Sequence, residues 1–318
     1  MDGFAGAPAR IARELVLRSL LMARLPAKSD DPRLAARLAD AVDELWARAG
    51  EAIYGPGDTS EHAFVVAEGR VRLEAEGRRF ALGPGEPFGM LEAMRRQPRV
   101  GRALAEADAH LIRMRVDDWL ELLEDNFTYA RDTIVAAARF AHELMLAAGA
   151  AGAPPPAPPP PAGGGAGTLR PGAALDDVER ALALRAVPAL SRASVQALMD
   201  LARLASDLSV APGALVFGGG RQRHLFVVAR GLVRTRRPGA PPFEADFGPG
   251  TIVGGLGALG GHEERLEARA VEPSVLVSFE REDYFDLMED HFDMVRSALT
   301  ALIDERERLL SVEVSAAP

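Results

Sequence analysis

The chain has 318 residues, long enough for two domains of ordinary size, and its 48% hydrophobic and 26% charged content is that of a globular protein. A formal net charge of -9 counts against holding nucleic acid by phosphate neutralisation, which needs clustered Lys and Arg, so no nucleic-acid partner is expected. The absence of cysteine excludes disulfides, thiolate zinc sites, iron–sulfur ligation and cysteine nucleophiles, and fits a reducing cytoplasm.

Near the N-terminus, Leu15, Leu17, Leu20 and Leu21 are spaced for a helix. Arg10, Arg13, Glu14, Arg18 and Arg24 interrupt this stretch, so it reads as neither signal peptide nor membrane span, and no membrane contact is expected. The segment from His62 to Leu73 is short, rich in Val and Phe and broken by Gly69, as a hairpin would be. Leu82-Gly83-Pro84-Gly85 is a turn signal, because Pro sets φ at one turn position and Gly supplies positive φ at the next. From Val116 to Leu146 the apolar residues return to helical spacing, with Asp117 and Asp118 suiting a helix's first turn.

Next comes AAGAAGAPPPAPPPPAGGGAGTLRPGAA, which has almost nothing to pack. It reads as a spacer, with Pro154–Pro161 favouring polyproline II over roughly 25 Å and Gly163–Gly165 acting as a joint. The expected organisation is a first domain at 1–147, a linker at 148–174 and a second domain at 175–318.

The halves on either side repeat each other. FGMLEAMRRQPRVGRALA (88–105) lies ungapped on VGGLGALGGHEERLEARA (253–270), and the register continues through RVDDWLELLEDNF onto EREDYFDLMEDHF, with eleven of forty positions identical. Upstream, RELVLRSLLMARL matches VERALALRAVPAL, GEAIYGPG matches GALVFGGG, and FVVAEGRVR matches FVVARGLVR. Phe247-Gly248-Pro249-Gly250 repeats the turn, Glu282 to Leu310 repeats the helices, and Gly218-Gly219-Gly220 falls on an ordinary turn of the first half and reads as loop. A repeat of this length means duplicated domains, each running from helices through many short strands to helices.

In their order and spacing, Gly50-Glu51, Ile53-Tyr54, Gly57-Asp58, Phe64–Gly69, Leu82–Gly85, Phe88-Gly89 and Pro98-Arg99 resemble the cyclic-nucleotide-binding domain family, of the catabolite activator protein and protein kinase A regulatory-subunit type. The resemblance spans nearly all of both halves. It implies an α+β fold of two tandem antiparallel β-rolls, jelly-roll-like, each flanked by helices. It also implies a phosphate-binding cassette in which an arginine neutralises the cyclic phosphate and a glutamate accepts from the ribose hydroxyl. Carried onto this chain, the cassette runs through Gly89, Met90, Leu91 and Glu92 to Arg99, Val100 and Gly101. Arg99 stands at the phosphate arginine and Gly89 at the tight glycine.

Met90 replaces the ribose glutamate and accepts almost nothing, which counts against conventional ribose recognition. Glu92 is two residues on, a step that points in another direction on a helix. Arg102 reads as a surface charge. The second cassette departs further: Gly254 keeps the tight glycine, Gly255 replaces the glutamate and Glu264 the arginine, with Arg265 its neighbour, so a carboxylate would face the phosphate.

Other chemistry reads blandly. The six histidines (62, 110, 142, 224, 262 and 291) lack metal spacing, and no GxSxG, Walker A or HExxH pattern occurs, so neither a metal, a cofactor nor an enzyme is expected. No helix-turn-helix is expected after either half. Ile134, Ala137, Ala138, Ala141, Leu144 and Met145 form a small-residue stripe suited to packing within the chain or to a homodimer through the long helices. Two readings follow. In one, a cyclic-nucleotide receptor takes cAMP or cGMP in the first half, with a degenerate second half as an interaction module. In the other, a ligand-free adaptor uses both rolls to bind an unidentified protein partner.

Overall fold

A computed structural model describes residues 37, 40–75, 78–150, 174–237, 243–261, 263–264 and 266–315. The expected helix at 13–25, most of the Pro/Gly linker and Arg265 lie outside the described residues. The chain divides into two compact units, 1–136 and 137–318.

The first unit opens with β1 (Val42–Ala47), β2 (Ala52–Tyr54), β3 (His62–Glu68), β4 (Val71–Ala75), β5 (Arg78–Leu82) and β6 (Pro87–Phe88). A short helix α1 (Met90–Arg95) leads to β7 (Arg102–Ala105), β8 (Ala109–Arg115), α2 (Val116–Asp125) and α3 (Phe127–Ala150), a helix that runs into the second unit. The strands form two antiparallel sheets, ordered β1-β8-β3-β6 and β2-β7-β4-β5. Phe64, Val66, Val71, Leu82, Phe88, Ala103 and Leu111 make one core from both sheets.

The stretch 62–73 is not a hairpin. β3 and β4 are consecutive but belong to different sheets, so the chain changes sheet at Gly69. Gly69 has φ +85°, and a Cβ there would meet the Asp108 carbonyl oxygen at 2.3 Å. Only a residue without a side chain lets the β3–β4 corner lie against the turn before β8. The Leu82–Gly85 turn forms as its residues dictate: Gly85 takes φ +89°, and Glu86 N–H donates to Gly83 O at 3.2 Å. In α2 the buried residues Val116, Trp119, Leu120 and Leu123 recur at the three- and four-residue spacing that made the segment read as a helix.

The second unit begins with α4 (Asp177–Arg185), a 3-10 turn at Pro188–Leu190 and α5 (Val195–Leu204). Asp176 and Glu179 cap α4 reciprocally, and the Ser194 side chain accepts from Ala197 N–H to start α5. Then follow β9 (Ser206–Val210), β10 (Leu215–Phe217), β11 (Gly220–Arg221), β12 (His224–Arg230), β13 (Val233–Arg237), β14 (Phe243–Phe247) and β15 (Ile252–Val253). The helix α6 (Gly255–Gly260), β16 (Glu263–Glu264), β17 (Glu267–Ala270), β18 (Ser274–Glu280), α7 (Arg281–Asp290) and α8 (Phe292–Ser315) complete it.

Its sheets, β9-β18-β12-β15 and β10-β17-β13-β14, repeat the first unit strand for strand. β11 and β16 add a two-residue ladder, so Gly220 is backbone-paired with Glu264, whereas Gly218 and Gly219 stay in loop. Gly231, at φ +87°, repeats the corner of Gly69. The expected α+β fold of two tandem antiparallel β-rolls with flanking helices is thus present. Ile134, Ala137, Ala138 and Ala141 of the small-residue stripe are buried within the single chain, so they are not a free surface for a second copy.

Candidate functional site

In the first unit β6 delivers the chain to Gly89, which caps α1 at φ +72°. A Cβ at 89 would lie 3.0 Å from Nη1 of Arg99 and 3.3 Å from the Phe64 ring. Met90 and Leu91 point inward and are buried. The helix ends at Arg96, whose φ of +53° makes it the one described non-glycine residue in the left-handed region. Gln97 N–H then donates to Glu92 O at 3.0 Å, and the chain turns back toward Pro98-Arg99.

Two backbone bonds fix Arg99: its N–H donates to Asp58 O, and Gly57 N–H donates to Arg99 O, both at 2.9 Å. They aim the side chain inward, where it is 1% exposed. Nη1 donates to Gly89 O, Nη2 donates to His62 O, and Nη1 also meets the Glu92 carboxylate at 3.4 Å. The Tyr54 ring lies under the guanidinium, with Cζ 4.4 Å from its centroid. A buried guanidinium needs this company, since an unpaired charge at such a depth costs several kcal/mol or more. Its Nε is buried and donates to no group among the described residues.

The structure therefore brings Gly89, Glu92 and Arg99 together. Glu92 is turned onto the arginine itself, although its two-residue step suggested another direction. Val100 is exposed, and Gly101 is required by packing, because a Cβ there would lie 2.4 Å from Glu74 O. Arg102 is half exposed and bound to Glu74, a surface charge as expected.

Tyr54, Phe64 and the His62 carbonyl were missed from the sequence. The only hint was that Tyr54 recurs as the aromatic Phe217 in the second repeat. The His62 imidazole has its pKa held below the usual 6.5, first by burial and then by Arg113, Arg115 and Arg99, with Glu61 opposing.

The second cassette has the same backbone and different contents. Gly254 caps α6 at φ +69°, but a Cβ there would lie 2.7 Å from Cζ of Phe217, so an aromatic ring abuts the glycine that Arg99 abuts in the first unit. Gly255 is close to Ile252, whose Cγ2 would lie 2.7 Å from a Cβ at 255. Glu264 has its backbone in the β11–β16 ladder.

Among the described residues no helix is long and apolar enough to cross a membrane, and no group of three or more His, Cys, Asp or Glu could hold a metal ion.

No curated protein sequence matches the chain. Solved structures similar to it include the regulatory domain of Toxoplasma gondii PKA with cAMP, at 16% identity over 96% of this chain and 100% of that one, TM-score 0.35. A second is the regulatory subunit of a cAMP-independent protein kinase A from Trypanosoma cruzi bound to guanosine, at 16% identity over 96% and 90%, TM-score 0.34. The Thermus thermophilus catabolite activator protein is 28% identical over 40% of this chain and 62% of its own, TM-score 0.35. The cyclic nucleotide-binding domain family matches residues 44–126 and 207–291, the two rolls just described and over half of the chain. The chain belongs to the cyclic nucleotide-binding domain family and carries two copies of its domain in tandem.

Proposed function

We propose that the chain is a non-enzymatic regulatory protein that responds to a cyclic nucleotide, cAMP or cGMP, held by the first unit through Gly89, Met90, Leu91, Glu92, Arg99, Val100 and Gly101. The observation that carries this reading is the Arg99 guanidinium, buried beside the cassette glycine with an aromatic ring beneath it and one N–H that finds no acceptor among the described residues. A fixed guanidinium gives a phosphate directional, charge-assisted donors. The second unit serves as a degenerate interaction module, its site around Gly254, Gly255, Glu264 and Arg265 having no arginine at the position of Arg99.

One observation favours the rival reading, a ligand-free adaptor that uses both rolls to bind another protein. Met90 supplies no ribose acceptor, and Glu92 already sits against the arginine. Calorimetric titration of the full chain with cAMP, cGMP and a cyclic dinucleotide separates the two. The receptor reading expects one site per chain and at least a tenfold loss of affinity in Arg99→Ala. Silence with all three ligands selects the adaptor, and binding unchanged in Arg99→Ala puts the ligand elsewhere.

A further inference from the structure

The second unit holds a cavity of about 180 Å³ against its own cassette. One wall is α6, contributing Leu256 and Leu259; another is the inner face of β13 and β14, with Ala245 and Phe247; α8 covers it with Ala301 and Leu302. The polar side chains in the lining have partners. Thr235 Oγ1 donates to Ala245 O at 3.4 Å, Thr251 Oγ1 donates to Gly248 O at 2.6 Å, and Arg308 is ion-paired to Glu305. His142, buried at 4% exposure, also has a partner within the protein.

Such a wall does not suit a phosphate, and the arginine's place beside the cassette glycine is taken by the Phe217 ring. An apolar cavity near 150 Å³ stays dry and binds a benzene-sized molecule. The wall is largely apolar, so an apolar molecule that fills it meets few polar atoms.

We infer that the second unit is a binding site for an uncharged, apolar small molecule of one or two fused rings, in place of a nucleotide. This goes beyond the proposed function of the first unit and stands without it.

The probe is 1-fluoronaphthalene, followed by ¹⁹F NMR on the full chain in an Arg99→Ala background, which separates any nucleotide effect in the first unit from this test. The expected result is one saturable site per chain that excess cAMP does not displace. Ala301→Phe and Ala245→Leu, each filling the cavity from a different wall, are expected to weaken binding at least tenfold while circular dichroism and melting report a folded chain. Absence of saturable binding, displacement by cAMP, or binding unchanged in either folded variant overturns the proposal. The wild-type-cavity titration and the competition decide the matter even if a variant does not fold.

Discussion

Arg99 and Gly89 are joined across ten residues of cassette by a buried hydrogen bond from the guanidinium to the glycine carbonyl. On the proposed function, the acceptors already on this guanidinium, Gly89 O, His62 O and the Glu92 carboxylate, would compete with an incoming phosphate. Glu92 is the clearest competitor. At an effective dielectric near 20, unit charges about 4 Å apart interact by roughly 4 kcal/mol, and solvent at this partly exposed carboxylate reduces that. Glu92→Gln is therefore expected to tighten cAMP binding at least threefold, measured by calorimetry. Weaker binding would make Glu92 a ligand acceptor.

Arg96 and Gly261 occupy equivalent left-handed C-caps, at φ +53° and +68°, one with a side chain and one without. The Arg96 side chain offsets little, since its ion pair with Asp117 is largely exposed on both sides. Arg96→Gly should stabilise the protein by about 0.5–1 kcal/mol, read as a higher urea midpoint with unchanged slope. The reverse change, Gly261→Arg, should lower it.

The corners at Gly69 and Gly231 tolerate no side chain. A Cβ would lie 2.3 Å from Asp108 O in the first case, and 2.2 Å from Ser274 Oγ and 2.7 Å from Pro273 O in the second. Backbone strain at positive φ adds to the clash, so Gly69→Ala and Gly231→Ala should each cost about 3 kcal/mol or more in chemical denaturation. A cost under about 1 kcal/mol would mean the corner relaxes freely.

Much of this architecture was legible because local chemistry and global fold agree. Gly83-Pro84-Gly85 permits little but the turn it forms, and the ungapped repeat carried the cassette helix, the last two strands and the helix after them from one roll onto the other. The sheet change at Gly69 was not legible: a glycine between two β-rich runs has the same local signature whether the runs pair or part, and β3 finds its partners β6 and β8 more than 20 residues downstream. Within the site, Gly89 and Arg99 were readable from motif spacing. The contacts of Glu92 were not, because the arginine arrives from the far side of a left-handed turn and meets the carboxylate there. Tyr54 and Phe217 were missed for a related reason: each comes from a strand well upstream of its cassette.

His62 provides a pH test. Its folded pKa lies below 6.5, so the unfolded chain binds a proton more readily and charging the ring opposes folding. The stabilising contribution is complete above about pH 6.5 and is lost as pH falls from there through the folded value. His62→Gln should flatten the stability–pH curve below pH 6.5 and leave its slope unchanged at pH 8. An equal slope in both proteins would show that other groups set it.

The depth of Arg99 also has a kinetic meaning. A chain of net charge -9 offers an anion no long-range attraction, and a guanidinium at 1% exposure projects little field into solvent. Nucleotide capture would then be timed by the loosening of carbonyl contacts inside the roll. Stopped-flow traces should level off at high nucleotide concentration and barely respond to added salt, as expected of a receptor that must first let go of itself.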